Sequence, residues 1–245
     1  MSSPEIAPPI QPPVEQKLAQ VAPTTAAASS WKSLVLRIVI TAVALAIWFW
    51  TQSLLGARNR DANVIGDGLH RITEPLHGYL ENSPRAANAL LVASSLGIDA
   101  LGIFLLGSWI FAGKLRPFLG LAMLLVLRQV MQALCALPPP PGMIWHYPGF
   151  PSLLVTYGVA NDFFFSGHTA IAVFGATELA RLHKSWLTAC AILLVLFEVA
   201  AVITLRAHYT MDVFAGLLAA LCVAVISDPI SRSIARPATP HPRSQ

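Results

Sequence analysis

The chain has 245 residues, of which 55% are hydrophobic and only 11% are charged, and its formal net charge is +4. Soluble domains carry roughly 25% charged residues, so this composition excludes an ordinary soluble protein and predicts a membrane protein. The lysines and arginines form no dense cluster, which excludes a nucleic-acid-binding surface.

The two ends of the chain differ from its middle. Residues 1–32 are rich in Pro, Ala and Ser, and we expect them to form a disordered cytoplasmic tail. Such a segment buries too little apolar surface to offset the entropy lost on folding. Residues 232–245 are predicted to form a second disordered tail, which is basic.

Six apolar stretches lie between these tails, and each is long enough to cross a bilayer, which takes about 20 residues. They are Ser33–Gly56, Asn88–Ala112, Leu115–Leu137, Phe164–Leu182, Trp186–Leu205 and Tyr209–Ile230. The prediction is an all-α, polytopic protein whose six transmembrane helices form one catalytic domain over residues 33–231. The polar segment 57–85 is expected to be an extramembrane loop with one short interfacial helix.

The distribution of basic residues predicts the orientation of these spans. Lysines and arginines near the span ends are more numerous on the side that carries both termini. The positive-inside rule therefore places the N- and C-termini in the cytoplasm.

Two short polar motifs stand out against the apolar background. Ser166-Gly167-His168-Thr169 lies in the opening of the fourth span, and Arg206-Ala207-His208-Tyr209-Thr210-Met211-Asp212 precedes and opens the sixth. The chain crosses the membrane twice between them, so both motifs return to the same face. We therefore expect them to form one site on the periplasmic or lumenal side.

The residue types in these motifs suit displacement at phosphorus. Asp212 follows His208 by four residues, a spacing that brings two side chains together on a helix. A carboxylate beside an imidazole fixes its tautomer and leaves the far nitrogen basic. His168 can then serve as general acid and base toward the leaving and accepting alcohols.

Residues around this triad are expected to bind the substrate phosphate, because small donors, helix amides and guanidinium groups suit its oxygens. They are Ser166, Gly167, Thr169, Arg206, Arg128 and Asp162. Asp162 could instead only cap a helix, and Arg206 could instead be an anchor at the level of the lipid headgroups.

Taken as a pair, the motifs resemble the signatures of sphingomyelin synthases, within the type 2 phosphatidic acid phosphatase superfamily. They are more similar still to plant phosphatidylcholine:diacylglycerol cholinephosphotransferases, which share the His208-Tyr209-Thr210-x-Asp212 run. Those enzymes also have an arginine-bearing span leading into a proline-rich loop, here Arg128 and Leu137-Pro138-Pro139-Pro140. The resemblance covers about residues 90–231.

The resemblance implies a six-helix core with His168, His208 and Asp212 as the catalytic set. His208 would attack phosphorus and His168 would serve both alcohols. It implies no metal or other cofactor, and membrane lipids as substrates. Nucleic acid is not an expected partner.

The chain departs from the phosphatases of this superfamily at three positions. Val202, Phe165 and Trp109 stand where those enzymes carry Arg, Pro and Lys, and Pro140-Pro141 replaces an acidic residue of the synthases. The three departures from the phosphatases favour a transferase that moves phosphocholine or a similar phospho-alcohol from a glycerophospholipid to diacylglycerol or ceramide. The alternatives are a lipid phosphate phosphatase with water as acceptor, and a membrane protein without enzymatic activity.

Several other polar residues have two interpretations each. Asp99, Glu178 and Glu198 lie within the spans and could line a headgroup pocket or make interhelical hydrogen bonds. Trp145 and Tyr147 lie in the proline-rich loop, where they could anchor the protein at the interface or bind a choline cation.

Overall fold

The computed structural model describes residues 65–135, 137–155, 157 and 163–235, together with scattered helical positions between Trp31 and Trp50. Two compact units are distinguished, residues 1–62 and 63–245. The described residues of the first unit are helical, and their side chains are exposed. Most of the predicted span Ser33–Gly56 lies outside the described residues. So does the predicted tail 1–32, apart from Trp31 and Lys32.

The second unit is all-helical in its described part. Its helices are α1 (Gly68–Ile72), α2 (Glu74–Glu81), α3 (Pro84–Ile110), α4 (Leu115–Leu134), α5 (Gly167–Ala180), α6 (Ser185–Thr204) and α7 (Thr210–Ala235). Four of them, α3, α4, α6 and α7, are long and apolar enough to cross a membrane. The chain is therefore an integral membrane protein.

The predicted spans and the observed helices differ mainly at the fourth span. Phe164–Leu182 was expected to cross the membrane, but α5 has only 14 residues and would be about 21 Å long. The helix starts late because Phe164 adopts a positive φ of 87° and Ser166 caps the first turn. The count of six spans therefore stays a prediction.

Two smaller corrections concern the ends of the helical region. Segment 57–85 contains two short helices, α1 and α2, rather than the one expected, because Asp67 caps the first and Pro75 starts the second. The C-terminal tail was expected from residue 232, but α7 continues to Ala235, with Arg232 paired to Asp228 one turn earlier. Residues 236–245 lie outside the described part.

Helix α5 is the centre of the bundle, since its residues from His168 to Gly175 are all buried. Its aromatic core residue, Phe174, packs directly against Gly120 of α4, where a side chain would have no room. Gly216 of α7 likewise lies against the backbone of Ser166, and a Cβ there would be 2.5 Å from the Ser166 carbonyl oxygen. Small residues at these crossings let α4 and α7 approach the start and middle of α5 closely.

A second core lies behind the start of α7. It is formed by Leu80, Ala87, Leu91, Val202, Ile203, Leu205, Ala207 and Val213. These residues join α2 and α3 to the turn between α6 and α7. The turn that carries the second polar motif is thereby held between buried apolar surfaces.

Candidate active site

The second motif holds a histidine against a buried carboxylate. His208 lies just before α7 and Asp212 in its first turn, and Nδ1 of His208 is 3.2 Å from Oδ2 of Asp212. The same oxygen accepts the Tyr209 backbone N–H at 3.0 Å, and Asp212 is fully buried. The carboxylate accepts the Nδ1 proton, so Nε2 of His208 carries the free lone pair.

The first motif places its histidine at the start of α5. His168 is the second residue of that helix and is buried, and its ring meets Trp145 edge to face at 5.3 Å between centroids. Among the described residues its Nε2 has no hydrogen-bond partner. A buried nitrogen without a partner costs free energy, and an alcohol or phosphate oxygen in the pocket would supply the missing partner.

Both imidazoles line one small pocket, with a volume of about 60 Å³. Gly167 and Arg128 line it as well, and a Cβ on Gly167 would be only 3.3 Å from Nε of Arg128. The guanidinium therefore lies against the first turn of α5, where the N–H groups of Gly167 and His168 precede the first intrahelical hydrogen bond. A cation beside a helix N-terminus is a suitable environment for phosphate oxygens.

Ser166 and Thr169 lie behind the pocket rather than in its described lining. Both are fully buried, and Ser166 Oγ accepts hydrogen bonds from the Thr169 N–H at 3.3 Å and from its hydroxyl at 3.0 Å. The Ser166 N–H donates to the Asp212 carbonyl oxygen at 3.0 Å. The two residues stabilise the first turn of α5, and the Ser166 N–H connects the first motif to the second.

Arg206 is directed away from the pocket and toward the outer segments. Its guanidinium donates to the Pro141 carbonyl at 2.8 Å and forms an ion pair with Glu74 of α2. It does not belong to the described pocket lining, and it has a positive φ of 52° at the end of α6. Asp162, the remaining predicted phosphate ligand, lies outside the described residues.

Residues of segment 57–85 support the second motif, a role that the sequence analysis did not assign to them. His70 Nε2 is 2.9 Å from the carbonyl oxygen of His208, and its ring stacks on Tyr209. Asp67 accepts the N–H and the hydroxyl of Thr210, both at 2.6 Å. Asp67 is a residue type preferred at helix N-caps, which is a signal for α1, but no local pattern indicated its contact with Thr210.

The pKa values of two of these supporting groups are shifted. Burial alone would raise the pKa of Asp67, but hydrogen bonds from Thr210 and His70 outweigh it and hold that pKa below its ordinary value. Burial, together with the neighbouring Asp212, raises the pKa of the Tyr209 phenol. Asp67 is therefore charged and Tyr209 neutral near pH 7.

Of the three carboxylates within the spans, Glu178 and Glu198 make interhelical contacts and Asp99 binds a loop, and none of them lines the pocket. Glu198 accepts the Ser94 hydroxyl at 2.6 Å, and Glu178 pairs with Arg116. Asp99 of α3 accepts the hydroxyl of Ser152 at 2.9 Å and two backbone N–H groups next to it. Asp99 thereby fixes the loop whose next residues reach the pocket wall.

Aromatic side chains form part of that wall. Trp145 and Phe163 line the pocket, and Tyr157 packs on Trp145 with ring centroids 5.0 Å apart. Tyr147 in turn meets Tyr157 edge to face. Of the two interpretations of Trp145, the structure supports a position at the site.

Comparison with known proteins identifies the family. A sequence model of the AtPDCT1/2 family, the phosphatidylcholine:diacylglycerol cholinephosphotransferases, matches residues 67–229. The chain belongs to this family. The match to the cholinephosphotransferase family begins at Asp67 and so includes α1 and α2, which the resemblance over residues 90–231 had left out.

Other comparisons are sparser. No curated protein matches the chain. Among solved structures, the crystal structure of Aquifex aeolicus LpxE is similar, with 24% sequence identity and a TM-score of 0.47. That similarity covers 62% of this chain and 92% of the other. Family membership makes this chain a membrane enzyme related to the cholinephosphotransferases.

Proposed function

We propose that this protein transfers phosphocholine, or a similar phospho-alcohol, from a glycerophospholipid to the hydroxyl of diacylglycerol or ceramide. The observation that carries the proposal is the His208–Asp212 pair, which faces the same pocket as His168 and Arg128. Together, His208, His168 and Arg128 can supply a nucleophile, a proton donor and a cation around one phosphorus atom.

The first step forms a bond between Nε2 of His208 and phosphorus. The bond from phosphorus to the glycerol oxygen breaks, and the leaving diacylglycerol takes a proton from protonated His168. Asp212 stabilises the charge that develops on the His208 ring, since it accepts the Nδ1 proton at 3.2 Å.

The second step reverses the roles of His168. Neutral His168 accepts the proton of the incoming alcohol, whose oxygen attacks phosphorus while the bond to His208 breaks. Both histidines return to their starting protonation states, so the cycle balances. Arg128 and the first amides of α5 stabilise the phosphate oxygens in both steps.

The pocket wall favours a headgroup with a quaternary ammonium. Trp145 and Phe163 present aromatic faces and edges at the pocket, with Tyr157 behind Trp145. Aromatic rings attract ammonium groups through their π-electrons, by about 0.5–2 kcal/mol per contact. This chemistry supports choline over an unsubstituted phosphate.

We also propose that the helical bundle has the six-helix core of the type 2 phosphatidic acid phosphatase superfamily, with the pocket on the periplasmic or lumenal face. Both termini would then be cytoplasmic, which the positive-inside rule supports. A cysteine introduced at exposed Tyr79 should react with an impermeant maleimide in intact cells, whereas one at Lys184 should not.

A label-exchange assay tests the transfer reaction. Purified protein is mixed with choline-labelled phosphatidylcholine and unlabelled diacylglycerol of a different chain length. We expect label in the new phosphatidylcholine, and no exchange with His168→Ala or His208→Ala. Release of phosphocholine or free phosphate without transfer would contradict the proposal and favour a phosphatase with water as acceptor.

A further inference from the structure

A second polar cavity lies at the end of the bundle opposite the active site. It is lined by the start of α4 and the ends of α3, α5 and α7, and its volume is about 460 Å³. Its charged lining residues are Lys114, Arg116, Arg181, Arg232, Glu178 and Asp228. None of these residues belongs to the described catalytic pocket.

The two carboxylates of this cavity are already paired. Glu178 pairs with the buried Arg116, whose Nη2 also donates to the Ala224 carbonyl at 2.7 Å. Oδ1 of Asp228 lies 3.3 Å from Nε of Arg116 and 3.2 Å from Nη2 of Arg181. Asp228 also forms an ion pair with Arg232. Four cations thus face two carboxylates.

The surplus positive charge is accessible. Lys114 is exposed and makes no side-chain ion pair or hydrogen bond with the described residues, and about half of the Arg181 side chain is exposed. Lys114 is also the N-cap of α4, and its side chain does not cap the helix, so the first amides of α4 add to the positive potential.

Apolar residues form much of the remaining lining of the cavity, beside Ser108 and Ser231. Phe104, Leu115 and Leu182 line it beside the charged groups. A free inorganic anion would gain nothing from contact with these apolar residues. A lipid would pack its acyl chains against them and place its phosphate near the cations. The cavity opens among the ends of membrane-crossing helices, which is the level of lipid headgroups.

We propose that this cavity binds the headgroup phosphate of an anionic phospholipid in the leaflet opposite the active site. Lys114 and Arg181 contact the phosphate oxygens, and Arg116 holds the floor of the cavity through Glu178. Basic pockets between transmembrane helices are suited to anionic headgroups. The inference does not depend on the proposed catalytic function.

Thermal unfolding of the full-length protein in a neutral detergent tests the site. Phosphatidylglycerol, phosphatidylcholine and inorganic phosphate are titrated separately. A lipid that binds only the folded state raises Tm with the logarithm of its concentration once that concentration exceeds Kd. We expect phosphatidylglycerol to raise Tm and inorganic phosphate at the same concentration to leave it unchanged. An equal effect of inorganic phosphate would overturn the lipid assignment in favour of a free anion.

Two matched variants separate this cavity from the active site and from general surface charge. Lys114 and Lys184 are both exposed N-cap lysines at this end of the bundle, but only Lys114 lines the cavity. Lys114→Gln should raise the Kd for phosphatidylglycerol, obtained from the dependence of Tm on lipid concentration, roughly fivefold, which corresponds to about 1 kcal/mol per basic residue. Lys184→Gln should leave it unchanged, and any effect of phosphatidylcholine should be unchanged in both variants.

Equal shifts in the two variants would overturn the proposal, because they would indicate only diffuse attraction of anionic lipid. If Lys114→Gln unfolds in detergent, the comparison of phosphatidylglycerol with phosphatidylcholine on the wild-type protein still tests the proposal. A rise in Tm with phosphatidylcholine that matches the rise with phosphatidylglycerol would then contradict an anion-selective site.

Discussion

The two ends of the helical bundle use arginine and carboxylate in different ways. At the far end, Glu178 and Asp228 are paired with three guanidinium groups. At the catalytic end, Asp212 is bonded to a histidine and a backbone N–H instead, and Nε2 of His168 has no partner among the described residues. An ion-paired carboxylate stabilises a fold, whereas an imidazole nitrogen that faces a pocket is available for proton transfer or attack.

The partner of each carboxylate indicates which of them belongs to the catalytic site. All of the acidic residues in the spans are buried or partly buried, so burial alone does not distinguish them. The distinguishing feature is the partner: a guanidinium for Glu178 and Asp228, a hydroxyl for Glu198, and an imidazole that faces a pocket for Asp212. Substitutions at both kinds of carboxylate, and at the histidines, test this distinction between partners.

Replacement of the nucleophile should have the largest effect. His208→Ala removes the nitrogen that attacks phosphorus, and we expect transfer to fall by roughly 10³-fold or more. His146→Ala is a matched control, because His146 is exposed and bonds only Asn88 among the described residues. Label exchange measures both. Exchange above about a tenth of wild type in His208→Ala would assign the attack to another group.

Asp212→Asn should have the next largest effect. An amide can present its NH₂ group to Nδ1 of His208 and thereby favour the wrong tautomer, so we expect kcat to fall by about 10²- to 10⁴-fold. KM should change little, because Asp212 is fully buried and does not line the pocket. Steady-state kinetics separate the two parameters. A change in KM alone would mean that Asp212 only shapes the binding site.

Trp145→Ala should weaken binding of the choline headgroup. We expect KM for phosphatidylcholine to rise roughly tenfold, from loss of about 1–2 kcal/mol of contact with the cation. Trp145→Phe keeps an aromatic ring and should recover most of that loss. A lipid with a headgroup that lacks the quaternary ammonium provides the comparison. An equal rise in its KM would indicate that Trp145 only maintains the pocket.

Asp67→Ala should reduce stability in a pH-dependent way. Loss of the helix cap at Thr210 costs about 1–2 kcal/mol, which lowers Tm near pH 7. The pKa of Asp67 lies below its ordinary value in the folded protein. Its stabilisation is therefore present near neutral pH and is lost as the pH falls through the folded pKa.

The difference in Tm between wild type and Asp67→Ala should accordingly shrink below about pH 4. Thermal unfolding at several pH values measures it, and Asp67→Asn, which can still cap a helix, should lose less than the alanine variant. A difference that is constant with pH would mean that the charge of Asp67 contributes nothing.

Glu198→Gln should have the smallest effect. The amide can still accept the Ser94 hydroxyl, and the side chain lies away from the pocket. We expect transfer rates within about twofold of wild type, in line with a neutral replacement that keeps its hydrogen bond. A loss as large as that of Asp212→Asn would refute the distinction between the two kinds of carboxylate.

The sequence was sufficient to predict the helices that face lipid and the motifs that meet. Observed helices α3, α4, α6 and α7 start and end within a few residues of the predicted spans, because a long apolar run has one stable structure in a membrane. Both histidines of the motifs line one pocket, as expected from the two crossings predicted between them. Their catalytic roles stay predictions.

Long-range partners could not be predicted. Arg206 adjoins the second motif in sequence, yet it donates to Pro141 and pairs with Glu74, which lies more than a hundred positions away along the chain. Asp67 and His70 lie in a polar segment without apolar periodicity, so nothing local indicated that they hold the turn around His208. Such contacts depend on how the helices pack, which one sequence does not encode in any short pattern.

The most direct test is to trap the covalent intermediate on His208. Protein mixed briefly with choline-labelled phosphatidylcholine is quenched in base and digested, and the labelled peptide is sequenced. We expect an acid-labile label on the peptide that contains His208, and no label in His208→Gln. Label on another residue, or undiminished transfer in His208→Gln, would contradict it.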